Sequence, residues 1–417
     1  MQFEEYNISG NIKENLRRMG FKRPTDIQFK SIPPILNGKD LLAIAQTGTG
    51  KTAAFAIPVL QLLLPKAGKK PDREVRCVVM APTHELAMQI HEVFSSLAKK
   101  TGLSSLCIHG GVKQDPQIDI LKKGVPIVIA TPGRLFDLHS QGHLNLDNVK
   151  ILVLDEADHM LDLGFLKDIQ ELTKRLPRKR QTLFFSATIN QKIKRLAYSL
   201  VDNPIRIQIS PRNPVAKNIN HSVAFIEMDD KRFFLERLIR ENPESKILVF
   251  VRTKVRAERV QKALARFNLD SSTIHSDKDQ KERFKVMRKF REGKVLIMIA
   301  TDVSARGIDI PDVDFVVNYD LPEQSENYVH RVGRTGRGTK KGQAVSFCSE
   351  EEKPVLKEIE SYLDKEIQVL EIAKTDYKET LEFKLEDETD WKSLMLKAEE
   401  EEARAKRKKK QKVCTKK

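Results

Sequence analysis

The run Ile151-Leu152-Val153-Leu154 is apolar at every position, and it is one of a series. A strand with one face in water alternates apolar and polar residues. A strand covered by helices on both faces does not. Comparable short runs occur in the first half of the chain at Leu41–Ala45, Val75–Ala81, Ser105–Ile108, Ile127–Ala130, Thr182–Phe185 and Ile205–Ile209. Amphipathic stretches such as Glu85–Lys99 and Ile189–Leu200 lie between them. The second half repeats the alternation. Strands are expected near Val223–Ile226, Ile247–Val251, Ser272–His275, Val295–Ala300, Phe315–Asn318 and Ala344–Phe347, and helices near Lys231–Glu241, Val255–Phe267 and Lys281–Glu292. The pattern predicts an α/β fold built on two mainly parallel sheets flanked by helices.

A chain of 417 residues, 40% of them hydrophobic, fills two cores rather than one. The segment Ser210-Pro211-Arg212-Asn213-Pro214 has the composition of an extended linker. The expected division is a first domain at 1–209, a linker at 210–218, a second domain at 219–368, and a charged, largely disordered tail at 369–417. The tail carries an acidic block at Glu399–Glu402 and is dominated by Lys and Arg from Arg404. A formal net charge of +16 and a pI near 9.5 favour an anionic polymer as partner, most simply nucleic acid; a basic tail on an unrelated soluble protein would give the same charge. Cys77, Cys107, Cys348 and Cys414 show no CxxC spacing, which argues against structural zinc and for a reducing compartment. No apolar run reaches membrane-spanning length, and the start MQFEEYNISG lacks the pattern of a signal peptide.

Ala45-Gln46-Thr47-Gly48-Thr49-Gly50-Lys51-Thr52 follows an expected strand and opens an expected helix. Backbone N–H groups of such a loop wrap phosphates, the Lys51 ammonium reaches the terminal phosphate oxygens, and the Thr52 hydroxyl suits Mg²⁺. Asp155-Glu156-Ala157-Asp158 follows the all-apolar run, so its carboxylates lie where α/β sheets bind ligands. Asp155 is placed to hold Mg²⁺ through its water shell, and Glu156 to orient an attacking water and accept its proton. In the second half, His330-Arg331-Val332-Gly333-Arg334-Thr335-Gly336-Arg337 spaces three arginines three apart, which on a helix keeps them on one side.

With these motifs the chain resembles the DEAD-box family of ATP-dependent RNA helicases, over roughly Phe3 to Leu370, and within it the bacterial RhlE-like group. The resemblance implies two RecA-like domains, ATP and Mg²⁺ as cofactors, and local, non-processive remodelling of RNA. It implies that Phe3, Phe21 and Gln28 read the adenine, since the Gln28 amide can both donate and accept. Thr47, Gly48, Thr49, Gly50, Lys51 and Thr52 then bind phosphate, with Gly307 and Asp309 joining from the second domain. Lys51, Asp155, Glu156 and the arginine fingers Arg334 and Arg337 would be catalytic. Asp158, Ser186, Thr188, His330 and Arg331 would couple hydrolysis to strand separation. Ser186 and Thr188 could equally cap the helix expected near Ile189, and Arg306 with Asp309 could be a structural ion pair.

By the same resemblance, Pro82, Thr83, Gly111, Thr131, Arg134, Arg252, Thr253, Thr301 and Arg306 would grip the sugar–phosphate backbone of RNA without reading sequence. Individually, each could be a turn or a helix cap. Two positions depart from the family pattern: His84 stands where most relatives have arginine, and Ser276 where glycine is usual. The tail is expected to add salt-sensitive RNA contact. The expected setting is a monomeric core in the cytoplasm, with ribosomal-precursor or degradation-complex RNA as candidate targets. Rival readings are an ATP-dependent RNA clamp of low turnover, a DNA-directed relative, and a tail that serves as a nuclear signal.

Overall fold

In the computed structural model, residues 2–46, 48–65, 72–209, 215, 218–302, 313–336 and 341–382 are described. They form two seven-stranded sheets. The first comprises β1 (Leu41–Ala45), β2 (Cys77–Met80), β3 (Ser105–Ile108), β4 (Ile127–Ala130), β5 (Ile151–Leu154), β6 (Gln181–Ser186) and β7 (Ile205–Ile209). Its order is β3-β4-β2-β5-β6-β1-β7, with every pairing parallel. The second comprises β8 (Ile219–Phe225), β9 (Ile247–Phe250), β10 (Ser272–Ile274), β11 (Ile297–Ala300), β12 (Phe315–Asn318), β13 (Gly342–Cys348) and β14 (Gln368–Val369). Its order, β10-β11-β9-β12-β13-β8-β14, is the first order shifted by seven, again all parallel.

The apolar runs are explained by what covers them. Ile151 and Val153 enter one core cluster with Ile32, Phe55 and Phe94 from the helices Asp26–Leu36, Lys51–Leu63 and His84–Leu97. Leu152 and Leu154 enter another, with Leu135, Leu172 and Leu196 from the helices Pro132–Ser140, Leu166–Arg175 and Gln191–Leu200. Each fully buried branched side chain is worth about 1.5–3 kcal/mol, so both faces of β5 favour apolar residues. The second sheet is covered in the same way: Val249 and Ile299 face one cluster, and Leu248 and Met298 the other.

The first sheet ends at Ile209 and the second begins at Ile219. Of the intervening linker only Val215 and Asn218 are described; Val215 is buried in the second domain, and the Asn218 amide donates to the Gly336 carbonyl. Residues 369–382, expected to be part of a largely disordered tail, instead carry structure. Val369 belongs to the edge strand β14, and a helix follows at Lys374–Glu382. That helix packs on the helix Lys231–Glu241. The Tyr377 and Phe234 rings lie 4.8 Å apart, the Tyr377 hydroxyl donates to Asp230 at 2.9 Å, and Arg237 donates to Thr380 at 2.8 Å. The composition past Gln368 reads as polar because such a helix buries only a narrow face. The strongly basic part of the tail lies outside the described residues.

Candidate active site between the two sheets

The loop after β1 turns through two left-handed glycines, Gly48 (φ 80°) and Gly50 (φ 91°), directly before the helix Lys51–Leu63. A side chain at Gly50 would be strained by φ alone, and its Cβ would lie 2.5 Å from Gln28 Nε2. Gln28 is buried rather than on a helix surface. Its Oε1 accepts from the Thr25 N–H at 3.0 Å and its Nε2 donates to the Gly50 carbonyl at 3.1 Å. The adenine-reading candidate is thereby tied to the phosphate loop itself. Phe3 is also buried, packed on Tyr6 and Phe21, so the more accessible ring of this pair is Phe21. Lys51 is 6% exposed and its Nζ donates to the Ala45 carbonyl at 2.9 Å. Thr49 Oγ1 donates to the Gln46 carbonyl, and Thr47 lies outside the described residues.

Asp155 and Glu156 leave the C-terminal end of β5 and are both buried. Burial pushes Asp155 up to about 7, with Lys51 opposing the shift. A dry carboxylate of this kind is what a divalent cation brings back to its charged form. The residues therefore fit Mg²⁺, with Asp155 and Thr52 as the groups that would hold it. Burial pushes Glu156 up as well, but the contact with His159 and the charges of Lys51 and Arg334 outweigh it and hold the carboxyl at about 2. Glu156 thus stays ionised. Its backbone is left-handed (φ 51°, ψ 50°), a conformation that costs a non-glycine residue on the order of 1–3 kcal/mol.

Asp158 joins this strand end to the next one. Its Oδ2 accepts from the N–H groups of Ala187 and Thr188 at 3.0 and 2.9 Å and from Thr188 Oγ1 at 3.2 Å. Ser186 Oγ donates to the Thr188 carbonyl. Of the two roles open to these hydroxyls, that of Thr188 bonds to the acidic motif, while that of Ser186 bonds to the Thr188 carbonyl. The following helix starts at Gln191 and is capped by Asn190, not by either of them.

The second domain closes the cleft. Glu156, Asp158, His159 and Thr188 line one wall, and Glu326, His330 and Arg334 the other, around a cleft of about 570 Å³. Arg331 and Arg334 do not share a helix face. The helix Ser325–Val332 stops at Gly333, so Arg334 sits in the turn beyond it, 3% exposed, with its Nε donating to the His330 carbonyl at 3.1 Å. Arg331, a coupling candidate with His330, turns into the second domain. Its guanidinium meets Asp302 at 2.6 and 2.8 Å, the Asp320 carbonyl at 2.6 Å and Asn318 at 3.3 Å. A buried guanidinium is stable only when its donors are satisfied, and these acceptors supply that. Arg306, Gly307, Asp309 and Arg337 lie outside the described residues.

The other half of the first sheet's C-terminal edge carries the remaining candidates. Pro82 and Thr83 follow β2, Gly111 follows β3, and Thr131 and Arg134 follow β4, on three neighbouring strands. Thr83 caps the helix His84–Leu97. Arg134 donates to the Val112 carbonyl at 3.0 Å and so also fixes the loop carrying Gly111. In the second sheet Arg252 and Thr253 follow β9 and Thr301 follows β11. Thr253 caps the helix Lys254–Arg266, and Arg252 is anchored by Asp320 and Glu352. An ion pair spans the two halves here: Arg283 Nη2 lies 2.7 Å from Glu85 Oε1, with the carboxylate 4% exposed. The His84 ring stacks on His109 at 5.1 Å, and His109 meets Phe284 edge-on at 6.4 Å.

A DEAD/DEAH box helicase model matches residues 25–196, and a helicase conserved C-terminal domain matches residues 230–339. The chain belongs to the DEAD-box RNA helicases. It is 42% identical over 372 residues to the ATP-dependent RNA helicase RhlB of Shewanella woodyi, covering 88% of this chain and 84% of that one. It is 39% identical over 370 residues to RhpA of Helicobacter pylori, covering 89% and 74%. Among solved structures, Saccharomyces cerevisiae Dbp5 bound to RNA and ADP BeF3 superposes with a TM-score of 0.81 at 31% identity, covering 88% of this chain and 95% of that one. This DEAD-box protein is accordingly an ATP-hydrolysing enzyme that binds and remodels RNA. Sequence reasoning missed Glu85–Arg283, His159 and the acceptors around Arg331. Glu85 and Arg283 are far apart in the chain, and no local spacing signals such a pair.

Proposed function

We propose that this DEAD-box helicase couples RNA-stimulated ATP hydrolysis to local, non-processive opening of short RNA duplexes and RNA–protein contacts. The observation that carries this reading is the shared cleft, with Glu156 on one wall and Arg334 on the other. The first domain supplies the carboxylate that takes the water's proton, and the second supplies the arginine that meets charge developing on the γ-phosphate. Lys51 binds the terminal phosphates, and Gln28 and Phe21 hold the adenine. Asp155 and Thr52 would hold Mg²⁺, which would supply neutralisation of charge on the phosphate oxygens. Asp158 transmits the state of the site to Ala187 and Thr188. RNA lies along the loops after β2, β3, β4, β9 and β11, and binding across both sheets favours closure. The core acts as a monomer in the cytoplasm on ribosomal-precursor or degradation-complex RNA, without reading sequence. The basic tail adds contact that weakens with salt.

The test is ATP turnover with and without RNA, alongside multiple-turnover unwinding of a short duplex. Hydrolysis indifferent to RNA would sink the coupled reading. RNA-stimulated hydrolysis without repeated unwinding would assign a clamp. A separate expectation concerns His84, whose ring lies 5.1 Å from that of His109. His84→Arg should tighten RNA binding by about tenfold, the order of one charge-assisted hydrogen bond. It should also steepen the dependence of log K on log salt by about 0.7 for a single strand. Titration of a labelled single strand at several salt concentrations checks both.

A further inference from the structure

His159 follows the acidic motif by one residue and is 4% exposed, facing the same cleft wall as Glu156. Its Nδ1 lies 3.5 Å from Glu156 Oε2. Neither ring nitrogen has a hydrogen-bond partner among the described residues, although both are shielded from water. Its backbone N–H donates to Asp158 Oδ1 at 3.1 Å, so the turn that presents the ring is pinned by the same carboxylate that holds Ala187 and Thr188 through its other oxygen. A leucine would fill this volume without burying two unsatisfied nitrogens. Such a group needs an explanation, and a reacting site beside it is one.

We propose that His159 is a positioning residue for Glu156: Nδ1 carries the proton, donates to Oε2, and leaves Oε1 turned to the attacking water. Glu156 occupies a left-handed backbone conformation at the start of its helix, and its side chain makes no cap hydrogen bond there. A second anchor at Oε2 removes the rotation that would let the water drift. The other charged groups around the ring are Asp158 and Asp162 on its own helix, Lys192 on the helix Gln191–Leu200, and Glu326, His330 and Arg334 across the cleft. The Glu156 carboxylate lies 3.5 Å from the ring at Nδ1. This inference rests on the assignment of Glu156 as the group that takes the water's proton.

The test compares His159→Leu, His159→Asn and His159→Gln with Glu156→Gln in RNA-stimulated ATP hydrolysis. Asparagine places an amide nitrogen near the position of Nδ1, and glutamine does not. His159→Leu and His159→Gln should lower kcat on the order of 10- to 100-fold, the size expected from misplacing a reacting group. KM for ATP, RNA affinity and melting temperature should hold, and His159→Asn should restore most of the rate. If leucine unfolds the domain, the asparagine–glutamine pair carries the test alone. Wild-type kcat in His159→Leu, or equal loss in all three variants, overturns the positioning role. Full activity in Glu156→Gln overturns the assignment of Glu156 itself, a separate failure.

Discussion

Arg334→Ala is expected to lower RNA-stimulated ATP turnover by about 1,000-fold or more, the range for an arginine that meets charge on a transferring phosphoryl group. The side chain is 3% exposed and its Nε is held by the His330 carbonyl, so its guanidinium needs little ordering when the domains close. Arg334 reaches the cleft from the second domain, whereas the phosphate loop belongs to the first. ATP affinity should therefore change little while kcat falls. Arg334→Lys should restore little, because a point charge on a flexible stem does not reproduce the planar fork. Single-turnover hydrolysis at saturating RNA, with ATP binding measured separately, checks this. Undiminished hydrolysis would remove Arg334 from the reaction and leave the composite site without its second-domain cation.

Glu156→Gln should reduce turnover by about 100- to 10,000-fold, the usual contribution of a positioned general base. The amide keeps the shape of the side chain but cannot take a proton from water. The carboxyl is held at about 2, so the wild-type group is ionised wherever the enzyme would be assayed. Loss of activity in the variant then reflects loss of the base rather than a shifted titration. ATP and RNA should still bind, and the variant should accumulate in an ATP-bound, RNA-bound state. Nucleotide-dependent RNA retention on a filter would show this directly. Retention lost together with turnover would mean that Glu156 serves binding instead.

The strands were the most legible part of the fold. Ile151–Leu154 forms as the sequence pattern predicts, because helices cover both faces and every residue there is apolar; Phe315–Asn318 also forms as predicted, with the buried Asn318 amide donating to Ser346. Others differ by one to four residues at their ends, as at β8, where strand hydrogen bonding begins at Ile219 on residues of mixed polarity. The helix Lys374–Glu382 was not legible, since its apolar contact is essentially one ring, Tyr377, against Phe234. Within the site, the phosphate loop and the acidic motif were legible because local spacing controls them. The directions of Arg331 and Arg334 were not, since a three-residue repeat cannot show that the helix ends between them at Gly333.

The sequence by itself determined the chemistry: a strand–loop–helix that wraps phosphate, paired acids behind a buried strand, and arginines in the other half. The tertiary structure alone decided how these parts are sorted in space. The order β3-β4-β2-β5-β6-β1-β7 places the loops after β5, β6 and β1 side by side and gathers those after β3, β4 and β2 on the other half of the same edge. Chain order gives no such grouping, because parallel strands are joined by crossovers that can insert a late strand beside an early one. One half of the edge meets Arg334 across the cleft, and the other meets the second domain at Glu85–Arg283. The separation follows from sheet order, and it puts the nucleotide residues and the candidate RNA residues on one rigid scaffold.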